Sequence, residues 1–111
     1  MAIQNKLQVI ALEEHYWDAE VSKHFEPGDS RSPEIVKRLT DVGEQRIKAM
    51  DEAGIDVQVL SHAAPSTQRL DAATAIPLAK RANDRLNETV RAHPDRFAAF
   101  AALPTADPKA A

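Results

Sequence analysis

Apolar and polar positions alternate from Leu7 to His15. Leu7, Val9, Ala11, Glu13 and His15 share one face of an extended chain; Gln8, Ile10, Leu12 and Glu14 share the other. Both faces carry apolar residues, as in a strand covered on two sides. Ile55 to Ser61, with Val57, Val59 and Leu60, predicts a second strand. Phe97 to Leu103 is apolar on both faces, ends at Pro104 and predicts a third. Helical periodicity lies between them. Asp41 with Glu44 three residues on predicts a capping-box start, Ile47, Met50 and Ala53 follow at helical spacing, and Gly54 is the expected terminating residue. Ala75, Ala79, Ala82, Leu86 and Val90 form one stripe of a longer helix over 71–92, with a kink or a fresh first turn expected at Pro77 and an end at His93-Pro94. Ser32-Pro33 predicts a shorter helix, with serine as N-cap and proline in the first turn.

Strands separated by helices imply parallel pairing with right-handed crossovers. The expected fold class is α/β, the N-terminal βαβαβ portion of a (β/α)8 barrel. Three parallel strands and two main helices leave one sheet face and an edge poorly covered. Residues 1–111 are therefore expected to be the N-terminal part of a single barrel domain, truncated after the third strand. The competing expectation is a minimal self-sufficient α/β domain.

Composition narrows the function. The 111 residues include 14 Lys+Arg and 17 Asp+Glu, a net charge of -3, with no basic excess to mark a nucleic-acid or anionic-membrane partner. The absence of cysteine excludes a disulfide framework, a thiolate zinc site and a cysteine nucleophile. No apolar run approaches the ~20 residues of a membrane span, no export signal opens the chain, and the cytoplasm is the expected compartment. No Walker, GxGxxG or GxSxG motif occurs, and three glycines argue against phosphate cradles.

The strongest chemical candidate is Glu13-Glu14-His15, where the first strand turns acidic and imidazole-bearing at its C-terminal end, the end at which α/β folds bind ligands. Glu13 and His15, about 7 Å apart along one face, could share a metal. The alternative is a strand that has simply reached solvent. Tyr16 and Trp17 either line a pocket for an aromatic ligand or cover the end of the sheet. His62 is expected to be a surface or hydrogen-bonded loop histidine, His24 solvated and His93 structural. Asp95 and Arg96, at the opposite end of the sheet, read as stability residues. Lys80, Arg81, Asp84, Arg85, Glu88 and Arg91 read as a solvated helix face with pairs along the helix.

Ala11-Leu12-Glu13-Glu14-His15 resembles the opening strand of the amidohydrolase-related metal-dependent decarboxylases, in the branch of the gamma-resorcylate (2,6-dihydroxybenzoate) and 2,3-dihydroxybenzoate decarboxylases. Two further stretches are similar to that family in order: Met50-Asp51-Glu52-Ala53-Gly54-Ile55-Asp56-Val57-Gln58-Val59-Leu60-Ser61, and Ala79-Lys80-Arg81-Ala82-Asn83-Asp84 followed by His93-Pro94-Asp95-Arg96-Phe97 and Ala101-Ala102-Leu103-Pro104. The resemblance implies a barrel, a homo-oligomer when full length, and one divalent metal, Mn²⁺ or Zn²⁺, with Glu13 and His15 as ligands. It implies nonoxidative decarboxylation of a hydroxylated aromatic acid, with such an acid as partner and neither nucleic acid nor membrane. The family's later His ligand and its late-strand Asp, which protonates the substrate carbon, have no counterpart here. No catalytic residue is thus assigned within the chain, and the chain alone is expected to be inactive. Other readings are a metal-dependent hydrolase of the same superfamily and a non-catalytic α/β module.

Overall fold

Strand β1 spans Ile10–Tyr16, β2 Val57–His62 and β3 Phe97–Ala99, in a three-stranded sheet of order β1-β2-β3 with both pairs parallel. This computed structural model describes residues 6–111. Helices α1 (Ala19–Ser22), α2 (Pro33–Thr40) and α3 (Glu44–Ala53) lie between β1 and β2, and α4 (Ala72–Ala92) joins β2 to β3. The expected βαβαβ order and parallel pairing are both present.

Local chemistry explains most of the boundaries. Ser32 caps α2 by accepting from the Ile35 N–H, with Pro33 in the first turn. Asp71 caps α4 through the Thr74 N–H. Gly54 ends α3 at φ 73°, its N–H turned back to the Asp51 and Met50 carbonyls, a conformation glycine adopts without a Cβ penalty. The capping box expected at Asp41 and Glu44 does not form. Glu44 is itself the first residue of α3, Gly43 is its N-cap, and the Asp41 carboxylate accepts from the Gly43 N–H at 2.9 Å. This local turn engages the acceptor the box needed. Pro77 sits inside an uninterrupted α4 rather than starting a new helix.

The core lies on one side of the sheet. Tyr16, Leu60 and Phe97 pack with Met50 of α3 and Leu86 of α4, and Ala75, Ala79 and Ala82 of the expected stripe are buried. The other side is bare. Ile10 stands 52% exposed, Leu12 65% and Phe100 64%. The radius of gyration, 15.9 Å, exceeds the ~13 Å of a compact chain this long.

Strand β1 departs from simple alternation. Ile10 pairs with Val57 and Ala11 with Gln58, but Glu14 pairs with Leu60 and His15 with Ser61. Leu12 and Glu13 therefore oppose the single Val59, a β-bulge, and Glu13 takes φ 60°. The expected single face of Ala11, Glu13 and His15 is thus broken. Ala11 shares the helix-side face with Gln58, while His15 lies on the open face with Ser61. The third strand also stops early, at Ala99 instead of Leu103. No fourth strand flanks it among the described residues, and the Asn83 amide takes the place of a ladder at Ala102, accepting from its N–H at 2.8 Å and donating to its carbonyl at 2.9 Å.

The two faces predict opposite mutational costs. Phe97→Ala should destabilise the chain by about 3–5 kcal/mol. Phe100→Ala should stay within about 0.5 kcal/mol. Urea denaturation midpoints measure both.

Candidate metal centre

The C-terminal end of β1 presents alternating chemistry on its two faces. His15 is exposed, its Nδ1 lying 3.2 Å from Ser61 Oγ. Glu13 is exposed within the bulge. Glu14, one residue from each, turns to the helix side, where its carboxylate accepts from Gln58 Nε2 at 3.3 Å. Gln58 in turn accepts from Arg46 Nη1 at 3.2 Å. Arg46 also donates to the carbonyls of Asp41, Arg38 and His15. Burial pushes the Arg46 pKa down, opposed by the charges of Glu14 and Asp41. One guanidinium thereby ties α2 and α3 to both strands directly beneath His15.

The turn after β1 is fixed as firmly. The Trp17 N–H donates to the Leu39 carbonyl at 2.9 Å, and the Asp18 N–H donates to His62 Nε2 at 2.9 Å. His62 Nδ1 lies 2.9 Å from the Ala63 carbonyl. Since that carbonyl can only accept, Nδ1 carries the proton and Nε2 is free to accept from Asp18. Burial lowers the His62 pKa, consistent with a neutral ring. His62 is thus a hydrogen-bonded structural histidine, as expected from sequence. His24 is exposed, and His93 caps α4 edge-on to Phe97.

Tyr16 and Trp17 are 4% and 6% exposed. Tyr16 packs in the core on the face opposite His15, and Trp17 meets Phe25 edge-on. Both line a cavity of about 350 Å³ bordered by Asp18, Thr40, Val42 and Leu86. The Tyr16 hydroxyl and Trp17 Nε1 have no hydrogen-bond partner. Burial, then the Asp18 charge, pushes the Tyr16 pKa up to about 12, so its hydroxyl stays protonated.

Arg81 and Arg85 do not make the expected pairs along the helix. Arg85 grips Asp18 through two bonds, at 2.7 and 2.9 Å, and both arginines reach Glu20. Asp18 and Glu20 belong to the start of α1, so tertiary contact outcompetes the i,i+4 option. Arg96, by contrast, behaves as read. It donates to the Asp56 and Ile55 carbonyls and pairs with Asp51 at the far end of the sheet.

Among the described residues, no three His, Cys, Asp or Glu side chains gather into a metal-binding group. Carboxylate oxygen and imidazole nitrogen are nevertheless a donor set suited to Mn²⁺ or Zn²⁺. Glu13 and His15, both exposed at the end of β1, supply one donor of each kind. Sequence reasoning missed Ser61, Arg46 and Gln58, the polar residues around β1. Their partners follow from register, which the bulge hides.

No family model matches the chain. It is 47% identical over 106 residues to the gamma-resorcylate decarboxylase of Rhizobium radiobacter, covering 92% of this chain and 32% of that protein. The dihydroxybenzoic acid decarboxylase of Polaromonas sp. JS666, solved with manganese and 2-nitroresorcinol, superposes with a TM-score of 0.82 at 41% identity, over 94% of this chain and 32% of that one. The 5-carboxyvanillate decarboxylase of Sphingomonas paucimobilis gives 0.83 at 32% identity, over 96% and 37%. The chain spans about a third of the length of these relatives and matches part of a barrel.

Two stability measurements probe this end of the fold. A non-glycine residue at positive φ costs about 1–2 kcal/mol, so Glu13→Gly should be more stable than Glu13→Ala by about 1 kcal/mol in matched urea melts. For Asp18, burial raises the pKa, but the Arg85 bonds and the Val21 and Glu20 N–H groups outweigh it and leave the carboxyl below its ordinary 3.8. The Arg81 and Arg85 bonds hold the Glu20 pKa down to about 2. Folded values below unfolded ones mean stability present above about pH 4 and lost as pH falls through the folded values. Asp18→Asn should flatten that acid limb, read as the slope of the urea midpoint against pH.

Over about a third of their length, then, the gamma-resorcylate and dihydroxybenzoate decarboxylases share sequence and fold with this chain, which is homologous to them.

Proposed function

We propose that the chain is part of a metal-dependent decarboxylase of hydroxylated aromatic carboxylic acids, that residues 1–111 are one portion of a single barrel domain, and that Glu13 and His15 are two of the metal's ligands. The observation that carries the reading is the position of Glu13 and His15 at the C-terminal end of β1, both exposed and His15 beside Ser61 on the open face, together with similarity to a manganese-bound dihydroxybenzoic acid decarboxylase. Ligands bind at the C-terminal strand ends in barrels of this kind.

The metal is proposed to be Mn²⁺, with Zn²⁺ the second option on donor chemistry. When bound, it supplies a positive charge that orients a carboxylate and an adjacent phenolic oxygen and offsets negative charge on them. The chain's part is positional. Glu13 brings a formal negative charge and His15 a neutral nitrogen, and the bulge and the Arg46 anchor fix the backbone between them. Tyr16 and Trp17 act here as buried support under the turn rather than as contacts to the aromatic ring. The acid that protonates the ring carbon is proposed to lie outside these residues. We also propose the cytoplasm as compartment and a homo-oligomer as assembly. A catalytic metal usually takes three protein ligands, so two leave the chain short of a working site. The hydrolase reading is supported by weaker similarity than the decarboxylase reading.

A chimera is the direct test. Residues 6–111 should replace the matching third of the Rhizobium radiobacter enzyme and retain Mn²⁺ and carbon dioxide release from 2,6-dihydroxybenzoate. Glu13→Gln and His15→Ala in that chimera should lower both metal content and rate at least ~10-fold, while His93→Ala leaves them unchanged. Equal metal content in all variants would remove the ligand assignment. The 111-residue chain with Mn²⁺ should release no carbon dioxide, and measurable turnover would show that the site needs nothing further.

A further inference from the structure

An imidazole can offer a metal only one nitrogen, and which one is decided by what the other nitrogen already holds. His15 Nδ1 already has a neighbour. Ser61 Oγ stands 3.2 Å away, on the strand residue paired with His15 in the β1–β2 register. A cation approaching Nδ1 would have to displace that hydroxyl. Nε2 has no hydrogen-bond partner among the described residues. The backbone on both sides of the ring is held too, since the His15 carbonyl accepts from Arg46 Nη2 at 3.1 Å and the Tyr16 carbonyl accepts from the Ala63 N–H at 3.0 Å. The ring therefore keeps one side toward Ser61.

We infer that Ser61 is a positioning residue for His15: its hydroxyl accepts from Nδ1–H, fixes that tautomer, and leaves the Nε2 lone pair as the nitrogen presented to a metal. The inference rests on the proposed metal-ligand role of His15 and names the residue that orients it. The serine hydroxyl is suited to the task, because it can accept from the ring and still donate elsewhere. Alanine at 61 would leave the ring free to rotate and to move its proton. Threonine would keep the hydroxyl on a β-branched frame natural to a strand.

The test uses the 111-residue chain, ¹⁵N-labelled at histidine, at dilutions where it is monomeric and at about pH 8.5, above the ordinary imidazole range. Two-bond proton–nitrogen correlations read which ring nitrogen bears the proton. The expected result is Nδ1–H at His15 in the parent and in Ser61→Thr, with a shift toward Nε2–H in Ser61→Ala and unchanged His62 signals as the control for folding. Added Mn²⁺ should broaden the His15 resonances at a concentration about 10-fold or more lower in the parent than in Ser61→Ala. An Nε2–H tautomer in the parent, or the same tautomer and Mn²⁺ response in all three chains, overturns the inference. A parent with Nδ1–H at His15, lost in Ser61→Ala, but no Mn²⁺ broadening would uphold the Ser61 contact, and the metal content of the Glu13→Gln and His15→Ala chimeras would then decide the metal reading.

Discussion

Leu12 and Glu13 of β1 stand against the single Val59 of β2, and the placement of every chemical group at this strand's end follows from that extra residue. A strand's side chains alternate, so inserting one residue exchanges the two faces beyond it. Upstream of the bulge, Ala11 lies on the helix side. Downstream, Glu14 and Tyr16 take that side, and His15 takes the open one. Tyr16 can then enter the core beside Leu60 while His15 remains accessible two positions from Glu13. Without the bulge, keeping Ala11 on the helix side would send His15 there too, and Tyr16 out of the core. The left-handed backbone at Glu13 is the local cost of having both.

Parallel pairing adds a second constraint. Both crossovers from strand to strand pass on one side of the sheet, so the helices can bury only one face. The interior built there is consistent, with Met50, Leu60, Phe97 and Leu86 all nearly excluded from water. Ile10, Leu12 and Phe100 are as apolar but stay more than half exposed. A purely parallel sheet is ordinarily covered on both faces. The chain with this bare face spans about a third of its relatives' length and matches part of a barrel. His15, paired with Ser61, stands at the C-terminal edge of that face.

Much of this could be read from the residues alone, and what could not has a physical reason. Helix starts at Ser32 and Asp71, the stop at Gly54 and the three strands were legible because they rest on local chemistry and on runs of apolar residues. The motif around Glu13 and His15 was legible as a resemblance. The bulge was not, since a period of two in the sequence looks the same whether or not the ladder carries an extra residue. Ser61 and Gln58 were therefore invisible as neighbours of His15 and Glu14. The Asp41 cap failed because Asp41 found a nearer N–H, at Gly43. Arg81 and Arg85 were misread because their partners, Asp18 and Glu20, lie more than sixty residues away and only folding brings them close.

Those distant pairs matter for the site because of where they attach. Asp18 caps α1, receives Arg85 from α4, and gives its N–H to His62 at the end of β2. Three elements thus converge on the residue three positions after His15. Cutting the Asp18–Arg85 pair would leave a buried carboxylate with only backbone donors, which costs more than a surface pair would. Arg46 does the same from the other flank, binding the His15 carbonyl while its own charge is balanced by Glu14 and Asp41. Two arginines from different helices, each satisfied by several acceptors, therefore hold the short segment between them. The backbone at and after His15 is thus held by charged side chains from other elements, so its position depends on α3 and α4 as much as on its own strand.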